Sequence, residues 1–209
     1  MELSTWLTFF AASWAISISP GPGAIASMSA GLNHGFKYGY VTIFGLVLGI
    51  WSQLLIVGVG LGALMATSST AFVVVKWLGV GYLVWLGIQQ WRAPARPMVA
   101  ASDTGEVVTQ RSLILKAWMI NVVNPKGTVF LLAVVPQFIS TAEPLLPQYL
   151  IIGATLAFTD MVVMSGYTAL ASRVLGALKE PAHIRAMNRI FGSLFVLAGS
   201  LLALFKRSA

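Results

Sequence analysis

The chain has 209 residues, of which 57% are hydrophobic and only 9% charged. A soluble domain carries roughly 25% charged residues, so this composition points to a multi-spanning membrane protein. It contains no cysteine, which excludes disulfides, thiol redox relays and thiolate metal sites.

A membrane helix needs about 20 mostly apolar residues, and six segments qualify. The first runs from about Leu3 to Leu32 but holds Ser19-Pro20-Gly21-Pro22-Gly23. Proline removes a backbone donor and clashes with the preceding turn. In lipid such a break is tolerated only inside protein or beside a water-filled cavity. The second and third segments run from about Tyr40 to Met65 and from about Phe72 to Trp91. A polar linker follows, about Arg92 to Ser112, with Pro94, Pro97, Asp103 and Glu106. The fourth, about Leu113 to Ile139, is interrupted at Asn124-Pro125. The fifth and sixth run from about Leu146 to Ala171 and from about Met187 to Phe205.

The net charge of +7 follows the connections rather than a nucleic-acid face. Lys37 lies in the first connection, Arg92, Arg96 and Arg111 in the third, and Arg173, Lys179, Arg185 and Arg189 in the fifth. Connections two and four carry no Lys or Arg. The positive-inside rule places connections one, three and five in the cytoplasm and both termini outside, against Lys206-Arg207. The first Lys or Arg is Lys37. A cleavable signal needs an earlier basic segment, so the first helix is expected to be retained.

The two halves resemble each other. Ser19-Pro20-Gly21 corresponds to Asn124-Pro125-Lys126, Gly45 and Gly58 to Gly153 and Gly166, and Lys76-Trp77-Leu78-Gly79 to Arg189-Ile190-Phe191-Gly192. Three spans per repeat forces the second copy to enter the membrane inverted, a transporter plan with the substrate at the repeat interface. The expected fold is an all-α membrane protein of one domain, with six transmembrane helices as two inverted three-helix repeats and broken helices one and four. Repeat one covers about residues 1–91, the cytoplasmic linker about 92–112, and repeat two about 113–209.

Candidate site residues follow from these breaks. A half-helix N-terminus offers free N–H groups to an anion, near Gly23-Ala24 or Gly127-Thr128. Pro20, Gly21, Pro22, Gly23 and Pro125 open the backbone. The bland alternative is a pair of packing kinks. Asp160 is the only acidic residue deep in a span. Its insertion costs on the order of 2.5–3.5 kcal/mol, and such residues normally mark substrate or proton sites. It suits a substrate ammonium or a coupling proton; a structural ion pair, or a protonated carboxyl bonded to a neighbour, is the alternative. Lys126 suits a carboxylate or Asp160 itself, unless it snorkels to an interface. Asn121 and Asn124 can bond a polar ligand or the carbonyls freed by Pro125. Gln53 is a further polar candidate, or a helix–helix bond. Gly45-x-x-x-Gly49 and Gly58-x-x-x-Gly62 permit close helix approach, within the monomer or in a homodimer. With two histidines no metal-ligand cluster is present in the sequence, no phosphate-binding loop or other cofactor motif appears, and no catalytic constellation is found, so an enzyme is not expected.

The motifs Ser19-Pro20-Gly21-Pro22-Gly23, Leu32-Asn33-His34-Gly35, Lys76-Trp77-Leu78-Gly79, Tyr82-Leu83-Val84-Trp85-Leu86-Gly87, Asn124-Pro125-Lys126, Pro136-Gln137-Phe138 and Asn188-Arg189-Ile190-Phe191-Gly192 span nearly the whole chain. In these the chain resembles the LysE/RhtB family of bacterial amino-acid exporters, most closely its homoserine and homoserine-lactone efflux branch. The resemblance implies an inner-membrane exporter of small amino acids driven by proton exchange, with the lipid bilayer, a proton and the amino acid as partners. Pro20, Gly21, Asn124, Pro125, Lys126 and Asp160 fall on matching positions. The substrate is less well specified, because relatives export lysine, threonine or leucine. One deep acid serves a second substrate cation poorly, which favours small neutral amino acids and derivatives. A passive channel would need more polar positions along the spans than are present, and an intramembrane hydrolase would need a serine or aspartate pair.

Overall fold

The computed structural model describes residues 1–65, 69–95, 109–140, 142–171, 173 and 180–204. The basic residues Arg96, Lys179 and Lys206-Arg207, and most of the polar linker, lie outside these residues. Among the described residues there are eight helices and no strand. They are α1 (Leu3–Ile18), α2 (Pro22–His34), α3 (Phe36–Met65), α4 (Ser69–Arg92), α5 (Gln110–Val122), α6 (Pro125–Phe138), α7 (Leu145–Ala169) and α8 (Pro181–Leu204).

Both expected interruptions are present, and proline causes each. Residues before proline are pushed out of the helical region. Ser19 accordingly turns extended at φ −67°, ψ 109°, and ends α1. Gly21 is also extended, and Pro22 opens α2 at its first turn, where a missing N–H has no consequence. Asn124 adopts φ −72°, ψ 109° before Pro125, which opens α6. The axis bends by 55° between α5 and α6. A third boundary, at Gly35, uses the left-handed region at φ 89°, which suits glycine, and splits α2 from α3 by a single residue.

Phe36–Gly60 in α3 and Leu145–Ala169 in α7 are each long and apolar enough to cross a membrane, and α5 with α6 makes a third crossing if the bent pair is one span. α1 is apolar but has only 16 residues. The break removes the length that the sequence assigns to its first span.

Packing is densest between α4 and α8 and between α3 and α5. Small residues permit both contacts. A Cβ on Gly45 would collide with the Ile114 carbonyl, and one on Gly49 would lie 2.5 Å from Asn121 Cβ. These glycines are therefore covered by α5 of the same chain. A Cβ on Gly87 would lie 2.6 Å from the Gly192 carbonyl oxygen. Contacts between the halves show a partial correspondence: α3 packs on α5 as α7 packs on α1, and α2 on α7 as α6 on α3. The strong contact of α2 with α3 has no comparable partner between α6 and α7.

Buried side chains form two clusters. Phe9, Leu54, Leu83, Phe130, Val135, Ile152 and Leu156 belong to one; Ala24, Met28, Ile43, Leu46 and Met164 belong to the other. Large apolar side chains such as Leu55, Ile56, Val59, Leu78, Leu146 and Phe158 face outward, as expected of a surface in contact with lipid.

Candidate functional site

A cavity of about 80 Å³ lies at the seam of the two clusters. One buried water occupies roughly 10–15 Å³ by this measure, so the space suits a small solute. Seven of the ten candidate residues line it: Gly21, Gly23, Gln53, Asn121, Asn124, Lys126 and Asp160. Pro20, Pro22 and Pro125 do not; they shape the backbone around it. Gly21 and Asp160, 139 positions apart in sequence, thus line one cavity.

The second break is closed by one side chain of its own and one from α3. Asn124 Oδ1 accepts from the Lys126 backbone N–H at 3.1 Å, an N-cap for α6. Gln53 Nε2, reaching from α3, stands 3.0 Å from the Asn124 carbonyl, 2.8 Å from Thr128 Oγ1 and 3.4 Å from the Val122 carbonyl. Asn121 Nδ2 donates to the Leu46 carbonyl at 2.7 Å. Of the three amides that the sequence offers as ligands, Asn124 and Gln53 therefore hold the break together and Asn121 pins α5 to α3; Gln53 also covers Gly127.

The first break has no such stitching. Gly21 at the N-cap of α2 supplies no side-chain bond, and buried Gly23 and Ala24 line the cavity directly behind it. The end of α1 is held from the second half of the chain. Lys126 Nζ donates to the carbonyl of Ser19, and to that of Ile16 at 3.4 Å. Tyr167 Oη donates to the Ile18 carbonyl. A cation at a helix C-terminus is favourable, because the last carbonyls carry partial negative charge.

Lys126 and Asp160 line the same cavity without an ion pair at 4.0 Å or less; among the described residues only the Met1 ammonium and Glu143 form one, at 3.0 Å. The two charges stand more than 4.0 Å apart but within electrostatic reach of each other. Asp160 is half-buried in the wall, one residue after Thr159 and one turn before Met164. Ser17 and Tyr167 are absent from the sequence-derived candidates. Ser17 lines the cavity, and its Oγ lies 3.2 Å from Thr159 Oγ1. Tyr167 stands two turns after Asp160, on the same face of α7. That spacing was the one available signal for it.

The family model described as LysE type translocator matches residues 14–205. The chain belongs to the LysE family. Along 97% of its length it is 43% identical to the homoserine/homoserine lactone efflux protein of Salmonella typhimurium, covering 98% of that protein. It is 41% identical to a membrane protein of Vibrio cholerae over its full length. A leucine efflux protein of an Enterobacter strain is 29% identical, with 93% of this chain and 92% of that protein aligned. No solved structure matches. The match of this LysE chain begins within α1 and so takes in both breaks and Asp160.

Proposed function

We propose that this protein is a secondary active exporter. It carries small neutral amino acids and derivatives, such as homoserine, homoserine lactone and threonine, across the bacterial inner membrane in exchange for protons. The observation that carries this reading is the cavity where both broken helices meet, walled by one acid and one base. The named efflux activities of relatives at 43% and 29% identity support the direction and the substrate class.

The architecture in this reading is six spans in two inverted repeats. α1 with α2 corresponds to α5 with α6, α3 to α7 and α4 to α8. The reciprocal contacts α3–α5 with α7–α1, and α2–α7 with α6–α3, support the pairing. Connections rich in Lys and Arg face the cytoplasm.

The first break would orient a zwitterion. The C-terminal end of α1 is electronegative and the N-terminal end of α2 electropositive. Asp160 and the α1 side receive the ammonium; the N–H groups behind Gly21 receive the carboxylate. Those N–H groups also donate to a lactone carbonyl, more weakly than to a carboxylate, so a substrate without a carboxylate is accommodated. Lys126 has three donors, and two rest on carbonyls, leaving one for the ligand. Asp160 also binds the coupling proton when the ammonium has left.

A second reading, export of leucine-like substrates, is favoured by the apolar part of the wall, Ile50, Phe130, Leu131 and Leu156. Export from proteoliposomes under an imposed proton gradient, with homoserine, homoserine lactone, threonine, leucine and lysine compared, separates the two. Asp160→Asn is expected to abolish gradient-driven export with normal membrane levels. Gradient-driven export by that variant at the wild-type rate removes Asp160 from the mechanism, and flux that does not saturate favours a channel.

A further inference from the structure

We propose that Ser17 is a direct substrate contact, a hydrogen-bond acceptor for the ammonium of the transported amino compound, and that Thr159 fixes its direction. The export reading above supplies only the class of ligand. A serine within a helix ordinarily turns its hydroxyl onto a carbonyl of the preceding turn. Ser13 does so, donating to the Phe10 carbonyl at 2.7 Å, and Ser27 donates to the Ala24 carbonyl at 3.1 Å. Ser17 leaves its own helix. Its oxygen stands 3.2 Å from Thr159 Oγ1 of α7.

Thr159 is fully buried and donates to the Leu156 carbonyl at 3.1 Å. A hydroxyl has one hydrogen; with the Thr159 hydrogen on Leu156, its oxygen is left to accept from Ser17, the direction proposed for a contact whose geometry allows either donor. Ser17 keeps a free lone pair while sitting in the cavity wall. Toward a ligand it is an acceptor only.

The ligand must therefore bring a donor. Asp160 follows Thr159 directly and lines the same wall. Two acceptors in the lining of one cavity, one of them anionic, favour a cation with several hydrogens over a neutral hydroxyl. Lys126 does not compete for Ser17, since its ammonium lies on the carbonyls of Ile16 and Ser19. Thr159 acts through Ser17 and is a positioning residue.

The test is binding of homoserine and of leucine to the purified full chain in detergent, by calorimetry, with thermal melting of the unliganded protein as a check on folding. Ser17→Ala and Thr159→Val should each weaken both ligands roughly tenfold, the effect of one hydrogen bond to a charged group. Thr159→Ser should bind as the wild type, and the double variant should bind no more weakly than Ser17→Ala. Loss for homoserine alone would overturn the ammonium assignment, because only homoserine has a side-chain hydroxyl. Wild-type affinity in Ser17→Ala, or additive losses in the double variant, would overturn the contact itself. If Ser17→Ala does not fold, the contrast of Thr159→Val with Thr159→Ser decides. Binding without export overturns the transport reading and leaves Ser17 standing; no binding of either amino acid by the wild type overturns both.

Discussion

The two breaks start from the same chemistry and end differently. Each is a helix stopped ahead of a proline, and each opens a new helix with proline in its first turn. At the second, Asn124 caps the new helix and Gln53 covers the loosened carbonyls of Val122 and Asn124. At the first, Ser19, Pro20 and Gly21 offer no side-chain cap, and the loosened carbonyls of Ile16, Ile18 and Ser19 are held by Lys126 and Tyr167 from elsewhere. An interruption with an amide of its own caps the new helix and needs one neighbour, Gln53 of α3, for its carbonyls. One made of serine, proline and glycine has no cap of its own and depends on the rest of the fold for support.

Three substitutions probe that contrast. Lys126→Gln removes the cation from the end of α1. Export in proteoliposomes should fall by roughly two orders of magnitude, since hydrogen bonds from a charged donor contribute about 1.5–3 kcal/mol. A variant that exports at the wild-type rate would show that the first break supports itself. Gly127→Ala is next. Its Cβ would lie 2.7 Å from Gln53 Oε1 and would push the amide off its acceptors. The cost of overpacking, about 1–3 kcal/mol, is opposed by about 1 kcal/mol of gained helix propensity. The expected outcome is a lowered melting temperature in detergent, and an unchanged one would mean that Gln53 does not stitch the break. Gly21→Ala should do least. The backbone there is extended at φ −138°, and the new Cβ would meet Lys126 Cδ at 3.8 Å, an ordinary contact. Stability should stay within about 0.5 kcal/mol. A loss as large as that of Gly127→Ala would erase the difference between the breaks.

Much of the fold was legible because its signals are local. Pro20, Pro22 and Pro125 dictate where helices stop whatever surrounds them, and both breaks stand where the sequence places them. The isolated acid at Asp160 was legible from the cost of burying it in an apolar helix. The division of labour among polar residues was not. Asn121, Asn124 and Gln53 read equally well as ligands or as structural bonds, and only the distances to Leu46, Thr128 and Val122 separate the two. Ser17 and Tyr167 are ordinary residues for their positions in a membrane helix. Their use depends on carbonyls and hydroxyls 142 to 149 residues away, which no local pattern encodes. The number of spans lies between these cases: the breaks shorten α1 and α2, so length and apolarity alone no longer identify the first crossing.

The bonds of Gln53 also have a mechanical meaning. One amide nitrogen with two hydrogens stands near three oxygens. One residue earlier along α3, Trp118 Nε1 donates to Ser52 Oγ at 3.0 Å, and two turns earlier Asn121 reaches Leu46. These bonds, with the glycine contacts at Gly45 and Gly49, rivet α3, α5 and the start of α6 into one stiff panel. The inner end of α1 is fastened more lightly, by Lys126 to two carbonyls and by Tyr167 to a third. The compliance of the molecule is therefore uneven around its cavity, with a rigid wall on one side and a lightly tethered helix end on the other.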